Sequence, residues 1–167
     1  MTILALRTDR ISRRMAYSWL ALALLAASLA LPSFEFTFMG STSLVSGWAA
    51  AWFGMLGAIE GIAHLLSGEA MTDFWAFLVA GSGAILNLIF LAAPVMLRKR
   101  VVTRRSLTIL GVLAGVGFAL GCASSLLFAD AVEHFLIGYQ LWLCAYLALG
   151  AAILAAWLGD RPQGMDQ

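Results

Sequence analysis

Charge is what this sequence has least of. Ten basic and nine acidic residues in 167 make 11% of the chain, against about 25% in a typical soluble domain. A chain so poor in charge lacks the polar surface to cover itself in water, which excludes an ordinary soluble globular domain. Cysteine is also scarce: Cys122 and Cys144 are the two present, both inside apolar runs. That excludes a disulfide framework and a C-x-x-C redox pair. The sequence has no phosphate-binding glycine loop, no nucleic-acid module, no internal repeat and no low-complexity linker. Serine, histidine and carboxylates occur, but nothing places them as a triad. No lysine, arginine or carboxylate falls in the interior of a span, so a proton or ion relay lacks its usual parts. Neither an enzyme nor a resident cofactor is expected.

What is abundant is apolar length. The chain is 62% hydrophobic with a mean hydropathy of +0.93, the composition of a polytopic membrane protein. At roughly 20 residues per span, one membrane domain covering 1–167 has room for four or five helices. The clear spans are 15–32, 73–97, 106–128 and 134–157. Residues 1–14 form a polar, basic leader, and GSTSLVS (40–46) reads as a loop. SFEFTF (33–38) alternates aromatic and polar residues, the pattern of a short extended piece at a membrane surface. The basic leader, the first apolar run and Ser28-Leu29-Ala30 imitate a signal peptide; the segment is expected to stay as a span.

The segment 47–66, GWAAAWFGMLGAIEGIAHLL, is equally apolar, and charge decides its place. Basic residues near span ends stay on the cytoplasmic side. With the amino terminus inside and four spans, leaving 47–66 uncrossed, every basic residue is cytoplasmic. These include Arg7 to Arg14, Arg161, and the loop residues Arg98, Lys99, Arg100, Arg104 and Arg105. The opposite side then carries Glu35, Glu60, Glu69, Asp73, Asp130 and Glu133. A fifth crossing at 47–66 would put one basic cluster outside. The expected fold is therefore an all-α bundle of four transmembrane helices, with both termini cytoplasmic. Segment 47–66 is expected as an in-plane or re-entrant helix on the outer face.

On a helical projection of 47–66, Trp48, Trp52, Met55, Ile59, Ile62 and Leu66 make an apolar stripe. Gly54, Gly57 and Gly61 follow another line that allows close approach of a neighbouring helix. In the third span Gly111/Gly115 and Gly117/Gly121 are small-xxx-small pairs with the same meaning. Asn87 and Gln140 are polar residues inside spans, expected to hydrogen-bond between helices; a substrate path is the sharper alternative. Glu60 and His64 lie one helical turn apart, and Glu133 and His134 adjoin at the start of the last span. These are the candidate metal ligands, with His64 and His134 the candidate haem pair. No H-x-x-x-H, H-E-x-x-H or cysteine ligand completes either set, so hydrated or mutually paired side chains are expected instead. The cluster 98–105 sets topology and is suited to anionic lipid headgroups.

The run Gly138-Tyr139-Gln140-Leu141-Trp142-Leu143, with Gly47-Trp48 and Asn87, resembles small uncharacterised bacterial inner-membrane proteins with four spans. Those carry a G-Y-x-L-W-L run in their last helix. Gln140 departs from the tyrosine often found at its place. The resemblance implies a bacterial inner-membrane location and no particular activity. The expected partners are the lipid bilayer and other membrane subunits or a second copy, not nucleic acid. Three roles follow in order: a non-catalytic accessory or scaffold subunit working through helix–helix contacts, a membrane immunity protein against a pore-forming toxin, and a haem or metal redox or small-solute transport module.

Overall fold

A computed structural model describes residues 3–38, 41–68, 74–98, 102–129, 132 and 134–159. The first helix, α1 (Ile3–Ala30), runs through the basic leader into the first apolar run without a break. Proline at 32 disfavours a helical Leu31, and the chain turns there into β1 (Pro32–Phe38). β1 pairs antiparallel with β2 (Ser41–Ser46), Glu35 facing Leu44 and Thr37 facing Thr42. The stretch expected as a loop is thus a strand. Its short polar residues show no alternation, and it is ordered by pairing with β1 instead.

β2 feeds directly into α2 (Gly47–Ser67), whose first turn is capped by Ser46 Oγ accepting from Ala49 N at 3.3 Å. Gly47 N–H donates to Leu31 O at 3.0 Å, tying the start of α2 to the end of α1. At the far end Gly68 adopts φ 78°, the left-handed conformation that glycine enters without a Cβ penalty. The expected span 73–97 is two helices, α3 (Phe74–Leu86) and α4 (Ile89–Arg98). Between them Asn87 and Leu88 donate to residues three back, Ala84 O at 3.2 Å and Ile85 O at 3.1 Å. This is a tightened turn, not a reversal, so α3 leads on into α4. Pro94 lacks the N–H that Phe90 O would otherwise receive.

α5 (Arg104–Leu127) begins at Thr103, whose Oγ1 accepts from Ser106 N at 3.2 Å. β3 (His134–Phe135) adds to the free edge of β1, giving the sheet order β2-β1-β3. The last helix, α6, therefore starts at Ile137 and runs to Gly159, not from 134 as expected.

α1, α4, α5 and α6 form a bundle around one core, with α1 and α6 paired most extensively. Leu25, Phe90, Leu97, Leu107, Tyr146 and Leu149 fill it. The outward faces are apolar too: Trp19, Leu91, Val95, Val112, Leu147 and Leu154 are all exposed. α2 packs along α3, with Gly54, Gly57, Ala58 and Gly61 buried. A Cβ on Gly81 of α3 would collide with Ala58, so glycine is required there. Since α3 continues into α4, which packs on α1, the α2–α3 hairpin sits at the bundle end where α1 stops and α6 begins.

Among the described residues four helical stretches are long and apolar enough to cross a membrane: Gly47–Ser67, Gly81–Arg98, Arg104–Leu127 and Ile137–Leu158. The set differs from the four spans expected. α2 qualifies by length and composition, whereas in α1 two arginines and Tyr17-Ser18-Trp19 dilute the apolar run.

Candidate functional site

The polar centre of the molecule is Asn87, at the α3–α4 break. Its Oδ1 accepts from Trp142 Nε1 at 2.7 Å and from Tyr146 O–H at 3.2 Å, both on α6. Tyr139, Trp142 and Tyr146 recur at three- and four-residue spacing, which places them on one face of α6. They continue a ladder of rings. Phe135 and Tyr139 lie 4.5 Å apart, Tyr139 and Trp142 6.0 Å, Trp142 and Tyr146 5.6 Å, and Tyr146 and Phe90 4.8 Å. Tyr139 O–H donates to Gly121 O at 2.5 Å.

Glycines make the slots for these rings. Any side chain on Gly117 would strike the ring of Tyr146, and a Cβ on Gly121 would stand 2.7 Å from Leu143 Cδ2 and 3.1 Å from the Trp142 ring. Gly83 of α3 gives Trp142 room from the other side, at 3.3 Å. The opening glycine of the G-Y-Q-L-W-L run has a different reason: a Cβ on Gly138 would lie 2.7 Å from Pro32 O.

Above the ladder is a partly enclosed cavity of about 460 Å³. One wall is made of the small residues Ala50, Ala51 and Gly54 of α2 with Ala84 of α3. Phe34, Phe128, Phe135, Asn87 and Trp142 also line the cavity. None of its described lining residues is charged. The hydroxyls of Ser28 and Ser124 donate to their own helix, to Leu25 O at 2.7 Å and Leu120 O at 2.9 Å. Among the cavity's described lining residues no nucleophile stands beside a base.

The structure brings Asn87, Gly117 and Gly121 together at the ring ladder, sets Gly54 against Gly81 of α3, and buries Gly57 and Gly61 on α2. Gly111 sits 3.7 Å from Ile153 by its would-be Cβ, while Gly115 opens outward with nothing within 4 Å. Gln140 is exposed, and the hydrogen bonds at Asn87 run to Trp142 and Tyr146 instead. The metal candidates are scattered. Glu60 is exposed and His64 half-buried on α2, whereas His134 pairs with Glu35 across β3 and β1. No group of three or more potential ligands forms among the described residues; Glu133 lies outside them. Arg98, Arg104 and Arg105 are exposed at the bundle end opposite the hairpin, and Lys99 and Arg100 lie outside the described residues. Cys122 and Cys144 are free and exposed.

Sequence reasoning missed Tyr146 and the role of Trp142 as partners of Asn87. The spacing 139/142/146 was the available signal. The chain matches no protein-family model, no curated protein and no solved structure.

Proposed function

We propose that this chain is a multi-pass protein of a bacterial inner membrane that acts as a non-catalytic accessory or scaffold subunit, binding a larger membrane complex through helix–helix contacts. Both termini are cytoplasmic in this reading, and α2 lies in the membrane plane or re-enters it on the outer side. The segregation of all basic residues supports that orientation. So does the course of α2, which follows α3 at one end of the bundle and does not run down beside α4, α5 and α6.

One observation carries the role. Thr108, Val112, Gly115, Ala119, Cys122 and Leu126 are all exposed on α5. They recur at alternating spacings of four and three, the seam of a packed helix pair. Most are small, and Gly115 with Ala119 forms a small-xxx-small pair that admits a close neighbour. The other face of α5 is already occupied by Tyr146, Trp142 and Leu143 at Gly117 and Gly121. Two small-residue faces on one helix, one filled internally and one vacant, fit a subunit that receives a helix from outside.

The test is purification from native membranes in a gentle detergent, with mass spectrometry of whatever co-migrates. Wild-type protein is expected to bring a stoichiometric membrane partner. Gly115→Ile, whose Cβ has no side chain or neighbouring helix within 4 Å among the described residues, is expected to keep its helical content and lose that partner. A solitary wild-type chain, or a partner retained by Gly115→Ile, would count against the role.

A further inference from the structure

We infer that the cavity between the α2–α3 hairpin and the ring ladder holds one acyl chain of a glycerophospholipid, with the ester carbonyl accepting a hydrogen bond from the Asn87 side-chain N–H2. The inference shares only the membrane reading with the role proposed above and does not depend on a protein partner.

Three features carry it. Packed protein interiors leave few voids larger than a water molecule, and this partly enclosed space of about 460 Å³ is large enough to take an occupant. That volume lies within the range of a small-molecule site. Water is a poor one, because a buried water needs two to four polar partners. Here the hydroxyls of Ser28 and Ser124 are already committed to their own helices. Apart from Ser33, Asn87 and Tyr139 the rest of the lining is aliphatic or aromatic, and none of the described lining is charged, which suits a hydrocarbon chain and rules against reading a headgroup inside the cavity.

The polar demand at Asn87 is specific. Both hydrogen bonds at Asn87 fall on Oδ1, which serves Trp142 and Tyr146. The amide N–H2 has no partner among the described residues, and Asn87 lines the cavity. In an apolar setting an amide donor seeks an acceptor. A ligand that is hydrocarbon for most of its length and bears one carbonyl meets both requirements. In a bilayer the abundant molecule of that description is an ester-linked phospholipid. The alanines of the hairpin wall fit the same purpose, since Ala50, Ala51 and Ala84 leave the space that larger residues would fill.

The experiment reconstitutes the full chain in phosphatidylcholine vesicles containing a small share of phosphatidylcholine with a diazirine in its acyl chain. After irradiation the labelled peptides are mapped. Adducts are expected at the cavity wall, around Ala84 and Phe128, at about five times or more the level at Leu147 and Leu154 on the open face of α6. Added ester-linked phosphatidylcholine should compete about five-fold better than its ether-linked analogue, the ratio expected for one hydrogen bond of about 1 kcal/mol. Ala51→Leu and Ala84→Leu, which fill the cavity from two different helices, should each remove the cavity label. Asn87→Leu should abolish the ester–ether difference. Equal labelling of cavity and open face, or equal competition by ester and ether lipid on the wild-type chain, overturns the inference without any variant. Stronger competition by an isoprenoid quinone than by the ester lipid also overturns it and assigns the cavity to a quinone.

Discussion

Replacing Asn87 by leucine removes the one acceptor shared by two aromatic donors, and the cost can be worked from their surroundings. Tyr146 is 2% exposed, so no solvent replaces the lost partner of its hydroxyl. A buried donor left unpaired costs about 1–3 kcal/mol. Trp142 is only half-buried and borders the cavity, where an interhelical bond in a membrane averages about 0.6 kcal/mol. Leucine recovers part of this through its apolar surface, on the order of 1 kcal/mol. The expected net loss is about 0.6–2.6 kcal/mol. Reversible unfolding by SDS in mixed micelles, followed through tryptophan fluorescence, measures it. The control is a double-mutant cycle with Tyr146→Phe. If the amide and the hydroxyl are true partners, the two losses are non-additive by about 0.5–2 kcal/mol. A loss below about 0.5 kcal/mol for Asn87→Leu, or strict additivity with Tyr146→Phe, refutes the reasoning.

The glycines of α5 should separate by face. Gly121→Ile drives a side chain into Leu143 and Trp142 and should destabilise the fold by about 1–3 kcal/mol, whereas Gly115→Ile should leave the SDS midpoint unchanged. Gly68→Ala should cost about 1 kcal/mol in the same assay, because φ 78° is strained for alanine though its Cβ meets nothing. In a Cys122→Ala, Cys144→Ala background, Ser67→Cys should react with a membrane-impermeant maleimide from outside intact cells. Labelling only after the membrane is opened would reverse the proposed orientation of the α2–α3 hairpin.

Much of the architecture is legible in the sequence because apolar length and charge are local properties. The runs 106–128 and 134–157 become α5 and α6 within a few residues, and the alternation of SFEFTF becomes β1. β2 has no such signature; STSLVS is a strand because β1 offers it an edge, a tertiary cause that outweighs weak propensity. The break of 73–97 at Asn87 is hidden for a similar reason. A lone asparagine in an apolar run looks the same whether it bonds across helices or bends one. Gln140 shows the limit most plainly. α6 is apolar nearly all round, so its inward face cannot be read from periodicity; Asn87 turns to the ring ladder while Gln140 is exposed. The cavity is least legible of all, since alanines and glycines of two helices and phenylalanines from three other segments meet only after folding.

The claim that matters most is that the outward seam of α5 receives another protein helix. Benzoylphenylalanine at Val112, irradiated in native membranes, tests it most directly, with the same probe at the exposed Leu154 of α6 as control. The account predicts a discrete protein adduct of higher mass from position 112 and none from 154. Lipid adducts alone at 112, or equal protein adducts at both positions, would contradict it.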